Sequence, residues 1–148
     1  KPEKEKIVEA QDAFLINNAL SDDQARSPIF GTNSLLHIKG KTVAVKTGTT
    51  NSLKDNWCIG WTPTYLVAVW VGNNDNSPMS WVASGISGAT PIWNRTMKSI
   101  ISNQTNEEWK APEGLYQSEA CGKKEWFFGG KEKKVRCITP TIEPTPTI

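Results

Sequence analysis

The sequence predicts an α/β (α+β) fold in which an antiparallel sheet is flanked by helices. Three observations predict it. Between Thr42 and Gly72 three β-type runs follow one another closely. An apolar-faced helical run precedes them, and a second helical run with a clear start signal follows.

The first β run, Thr42 to Thr47, alternates and is rich in β-branched residues. The second, Trp57 to Thr62, is apolar and aromatic, and the third, Tyr65 to Val71, is apolar at nearly every position. Pro63 and Thr64 alone separate the last two, a hairpin spacing. A polar loop with Asn51, Ser52, Lys54 and Asp55 separates the first two, so the runs read as a three-strand meander. Leu66 to Val71 carry apolar side chains toward both sides, which predicts a strand covered on both faces with a partner on each edge. The meander supplies one partner. The other is expected from outside this chain or from its less legible parts.

Ala10 to Ser21 reads as a short helix, with Phe14, Leu15, Ile16, Ala19 and Leu20 on a broad apolar face, ended at Ser21-Asp22-Asp23. Arg26 to Leu36 reads as a loop containing Pro28 and Gly31, and Lys39-Gly40 as a turn. After the meander, Asn73 to Pro78 is a solvated polar loop; it lacks the spacing and distal glutamate of an EF-hand. Ser84 to Ala89 is glycine-rich and flexible. Thr90 as N-cap and Pro91 as first helical residue then predict a core-packing helix through Trp93, Met97, Ile100 and Ile101, closed at Asn103. Ser87 does not fit a nucleophile elbow, because Gly85-Ile86-Ser87-Gly88-Ala89 has the wrong order and no strand leads into it. Glu107 to Gly114 reads as a loop, Trp126-Phe127-Phe128 as a short aromatic run, and residues 138–148 as an extended, disordered Pro/Thr tail.

The 148 residues suffice for one compact domain with a core. The net charge of +2, from 17 basic and 15 acidic residues, is too balanced to argue for nucleic acid. No apolar stretch approaches the roughly 20 residues needed to span a bilayer, and no signal peptide opens the chain. The mixed-charge start at Lys1-Pro2-Glu3 reads as that of a piece of something longer. Cys121 and Cys137 flank a basic, aromatic segment; they either close a disulfide loop, which fits an extracytoplasmic setting, or remain reduced thiols. Cys58 reads as a small buried hydrophobe. Without a Cys-x-x-Cys pair, and with His37 as the sole histidine, no metal site and no cofactor are expected.

The chemistry concentrates where the first strand ends. Lys46 offers a positive charge, Thr47 and Thr49 offer hydroxyl donors with Thr50 beside them, and Gly48 lets a ligand backbone approach where no Cβ intervenes. A backbone N–H just beyond Gly48 would suit a bound carbonyl, as an oxyanion hole requires. The competing reading of these residues is a surface strand end with a solvated lysine.

These residues resemble a family, the transpeptidase domain of class A (bifunctional) penicillin-binding proteins. The resemblance rests on Lys46-Thr47-Gly48 together with Phe30-Gly31, Val45 to Asn51, Asp55 to Trp57, Gly60 to Pro63, Val69 to Gly72 and Gly88 to Trp93, and it covers roughly residues 10 to 137. It implies part of a serine β-lactamase-like fold, with residues 1–103 as the C-terminal part of the transpeptidase domain and 104–137 as a C-terminal extension. It implies an enzyme that cross-links D-Ala-D-Ala stem peptides of peptidoglycan by serine acyl transfer and is acylated by β-lactams. Lys46 would assist proton movement, Thr47 and Thr49 would bind the substrate carboxylate, and the Thr49 N–H would be half of the oxyanion hole. The setting would be extracytoplasmic, anchored through a segment before Lys1. This sequence departs from the pattern: no serine has lysine three positions on, and no Ser-x-Asn occurs. The chain therefore lacks a nucleophile and is expected to be inactive alone; its partner would be the missing N-terminal part of its own domain. A D,D-carboxypeptidase or serine β-lactamase relative, or a non-catalytic module that docks cell-wall peptide, are the alternatives.

Overall fold

In the computed structural model the described residues are 5–79, 87–129 and 135–137. The glycine-rich stretch before Gly88 and the Pro/Thr tail fall largely or wholly outside them. Contacts divide the chain into two compact units, Asp12–Lys110 and a second made of Lys1–Gln11 with Ala111–Ile148.

Helix α1 occupies Ala10–Ser21. Phe14 is its buried residue, while Ile16 faces solvent, so the apolar face is narrower than the composition suggests. A second helix, α2 (Asp23–Phe30), replaces the loop expected there. Asp22 caps it by accepting the Ala25 N–H at 2.9 Å. Pro28 lies inside, where its missing N–H would leave the Gln24 carbonyl unpaired. The Ser27 hydroxyl donates to that carbonyl at 2.9 Å instead. Gly31, at φ +78°, closes the helix by donating its N–H to the Ser27 carbonyl at 2.8 Å.

The sheet is the expected meander, in the order β1 (Ala44–Thr49), β2 (Asp55–Trp61) and β3 (Leu66–Gly72), antiparallel throughout. Cross-strand partners share a face. One face carries Val45, Thr47 and Thr49, then Gly60, Cys58 and Asn56, then Val67, Val69 and Val71. Helix α3 (Ala89–Ile101) packs here, and Trp93, Met97 and Ile101 join Val45, Cys58 and Val67 in one core with Leu36, Ile38 and Val43. The side-chain amide of Asn94 ties α3 to the preceding loop by donating to the Leu35 carbonyl at 2.6 Å.

Helix α3 begins at Ala89, one residue before the expected cap. Thr90 is buried inside it, and the N-cap residue Gly88 offers no side chain. A different group meets the first helical N–H: Asn56 Oδ1 accepts from Ala89 at 2.6 Å.

The other face carries Lys46 and Gly48, then Trp61, Ile59 and Trp57, then Leu66, Ala68 and Trp70. At one end the Trp61 indole donates to Asn17 Oδ1 of α1 at 2.8 Å. On β3, Leu66 (66% exposed), directly opposite Trp61, and Trp70 (42%), toward the other end, face solvent. Among the described residues β3 pairs with β2 alone. The covering predicted from the sequence for both faces of this strand is thus present on one.

The unit built on the sheet runs past Asn103 to Lys110. Lys41 donates to the Gln104 carbonyl, the Thr42 N–H to Asn106 Oδ1 at 2.7 Å, and the Thr64 hydroxyl to Glu107 Oε2 at 2.6 Å. The second unit contains a hairpin of β4 (Leu115–Ala120) and β5 (Lys123–Phe128). Only the aromatic part of β5 was evident from sequence. Its turn is Cys121-Gly122, both at positive φ (53° and 75°), the geometry that two-residue hairpins favour. Cys121 Sγ is bonded to Cys137 Sγ.

Candidate active site

Among the described residues β1 pairs with β2 alone, so half of its backbone groups are open to another partner. Hydrogen bonding shows which half. The Thr50 N–H donates to the Asp55 carbonyl at 3.0 Å, in continuation of the register that pairs Thr49 with Asn56. In an antiparallel ladder such pairs alternate. Gly48 and Lys46 therefore direct their backbone groups toward β2, while Thr49, Thr47 and Val45 direct theirs outward. The independent contact from the Thr62 N–H to the Tyr65 carbonyl, 2.8 Å, sets a consistent alternation between β2 and β3.

Pleating puts the Lys46 side chain on the face away from α3 and the Thr47 and Thr49 side chains on the α3 face. The lysine nevertheless returns to the strand edge. The Lys46 ammonium curls back to donate to the carbonyl of Thr47, one of the outward-directed groups. It is exposed and forms no ion pair among the described residues. One open strand edge thus brings together a cation, outward N–H groups and threonine hydroxyls. Gly48 lies between them. A Cβ built there would meet only Trp57 Cβ, at 3.9 Å, an ordinary contact. Packing within the chain does not demand glycine at this position.

Thr50 belongs to a different structure. Its Oγ1 accepts the N–H groups of Lys54 and Asp55, both at 3.0 Å, and closes the loop between β1 and β2. Asn56, overlooked in the sequence, is 0% exposed, and its Nδ2 donates to Thr49 Oγ1 at 3.0 Å. The available signal was an amide immediately before an apolar and aromatic run.

Among the described residues two titrating groups are shifted. Burial pushes the Cys58 thiol up to about 11, against a smaller opposing effect from the Thr90 side-chain hydrogen bond. Such a thiol is a core group, not a nucleophile. Asp75 is held below its ordinary value by hydrogen bonds from the Ser77 hydroxyl (2.7 Å) and N–H (3.0 Å), which make its loop an Asx turn. Among the described residues no cluster of histidine, cysteine and carboxylate has the make-up of a metal site, and no helix is long and apolar enough to cross a membrane.

No family model matches the chain. Curated relatives do. It is 33% identical over 110 residues to penicillin-binding protein 1A of Clostridium acetobutylicum and 32% identical over 112 residues to penicillin-binding protein 1A of Pseudomonas aeruginosa. These alignments cover 74% and 75% of the chain and 13% of each relative. Among solved structures it superposes on penicillin-binding protein 1A from Haemophilus influenzae with a TM-score of 0.70 and 26% identity, over 85% of this chain and 21% of that one. The sheet and these alignments agree on a penicillin-binding protein. The chain belongs to the class A kind, as a portion of one, and its relatives carry the name penicillin-binding protein 1A. It spans about 13% of the length of those curated relatives.

Proposed function

We propose that the chain supplies the carboxylate-binding edge of a serine D-Ala-D-Ala transpeptidase that cross-links peptidoglycan stem peptides. The observation that carries this reading is the open edge of β1, where a Lys46 ammonium with no ion pair among the described residues, outward Thr47 and Thr49 backbone groups and the space beside Gly48 converge. A peptide or β-lactam laid along this edge would place its terminal carboxylate against Lys46, Thr47 and Thr49, held by charge-assisted hydrogen bonds. The outward N–H of Thr49 would stabilise the oxyanion of the tetrahedral intermediate.

The nucleophile lies elsewhere in the parent protein. A serine there attacks the penultimate D-Ala carbonyl, the terminal D-Ala leaves, and an amine of a neighbouring stem releases the acyl-enzyme. The same missing portion would cover the exposed face of Trp57, Leu66 and Trp70 and pair with β3. It would also anchor the protein at the extracytoplasmic face of the membrane. Oxidised Cys121 and Cys137 fit that setting.

Labelling by a fluorescent penicillin tests the proposal. The full-length parent should label covalently, Lys46→Ala in that parent should slow labelling by at least tenfold, and the 148-residue chain alone should not label. Stoichiometric labelling of the chain alone, or undiminished labelling of Lys46→Ala, would overturn it.

A further inference from the structure

Asn56 lies wholly buried opposite Thr49, and both ends of its amide are engaged. One end meets the Ala89 N–H at 2.6 Å and the other meets Thr49 Oγ1 at 3.0 Å. The first contact fixes the identity of both. A backbone N–H can only donate, so the atom facing Ala89 must be the amide oxygen. The amide NH2 therefore faces Thr49, and the threonine oxygen is the acceptor. A hydroxyl has one proton. With its oxygen receiving a hydrogen bond from the interior, Thr49 directs that proton away from Asn56, toward the exposed edge of β1.

We propose that Asn56 is a positioning residue that commits the Thr49 hydroxyl to donating outward, to a carboxylate held on the β1 edge. The inference rests on the reading of that edge as an anion site and adds what sets the polarity of one of its hydroxyls. Because the same amide caps α3, whose N-cap Gly88 has no side chain to offer, the entry of the helix and the orientation of the hydroxyl are held by one group.

An aspartate at 56 separates the two roles. It has nearly the same shape, still accepts the Ala89 N–H, and places negative charge at a helix N-terminus, where it is favoured. Toward Thr49, however, it can only accept, so the hydroxyl proton turns inward. The cap survives and the polarity reverses.

The test uses the full-length parent and the rate constant of acylation by a fluorescent penicillin, compared with the methyl ester of the same penicillin, which lacks the anion. Asn56→Asp is expected to slow the acid by about 10- to 100-fold, the range of a lost hydrogen bond to a charged group, and to leave the ester nearly unchanged. Structural damage would slow both alike and would overturn the inference. Thr49→Val should slow the acid similarly, and adding Asn56→Asp to it should cost nothing further, since no hydroxyl remains to orient. Slowing of the double variant by the product of the two single effects would mean direct charge repulsion, and would equally overturn it. Should Asn56→Asp not fold, Asn56→Ser can still accept from Ala89 and donate to Thr49. It should keep the preference for acid over ester, and its loss in folded protein counts against the inference. Lys46→Ala distinguishes the levels. If it acylates at the parental rate, the anion-site reading fails; if it is slow and Asn56→Asp is not, only the role of Asn56 fails.

Discussion

The indole of Trp93 lies directly against the backbone of Gly60: a Cβ built on Gly60 would come within 2.3 Å of Trp93 Cζ2 and 2.8 Å of Nε1. Both residues are buried, one near the end of β2 and the other in α3, so the helix approaches the sheet only because this position lacks a side chain. Gly60→Ala is therefore an overpacking change in the core. It should destabilise the folded parent by about 3 kcal/mol, read as a fall in the denaturant midpoint at unchanged slope. Trp93→Leu should relieve much of this in the double variant, because the clash is with the ring. Additive effects of the two substitutions would contradict the contact.

Gly48 is the opposite case. A Cβ there meets nothing closer than 3.9 Å, so Gly48→Ala should change stability by less than about 1 kcal/mol. The same methyl intrudes where a ligand would lie, so acylation by a fluorescent penicillin should slow by tenfold or more. A stable variant that labels at the parental rate would show that the ligand passes elsewhere.

Cys58 makes a prediction about pH. Its folded-state value, about 11, lies above the ordinary 9.0, so the native protein keeps a proton that the unfolded chain releases. The contribution is fully present below pH 9 and is lost as pH rises toward about 11. Chemical denaturation between pH 8 and 11 should show this fall, and Cys58→Ala should lessen it. At pH 8 an alkylating reagent should reach Cys58 only when the protein unfolds.

The Cys121–Cys137 bond closes a loop with a sequence separation of 16. For a loop of that size the entropic contribution is about 3 kcal/mol. Reduction should accelerate amide hydrogen exchange in β4 and β5 while leaving β1 to β3 protected. Equal loss of protection in both sheets would tie the bond to the whole molecule.

The meander and α1 were legible because hydrophobic periodicity and a proline-containing turn act within a few residues. Helix α2 was not, since Pro28 reads as a breaker until the Ser27 hydroxyl is seen serving the orphaned carbonyl. The start of α3 was misplaced for a related reason: its cap comes from Asn56, far away in sequence, so Thr90-Pro91 suggested a local solution that the fold does not use. The β4–β5 hairpin escaped because Cys121-Gly122 is an uncommon turn pair. At the site, Lys46, Thr47, Gly48 and Thr49 were recognisable by type and spacing. That the lysine and the threonine side chains leave from opposite faces of the strand required the register.

The two borders of this small sheet are chemically unlike. Along β1 a cation and hydroxyls meet water, which welcomes them. Along β3, which among the described residues pairs with β2 alone, an open ladder adjoins Leu66 and Trp70, which water does not welcome. Taken out of its parent, the chain would find the nearest substitute for a missing neighbour in another copy of itself, so its solutions should cloud as concentration rises, starting from that side.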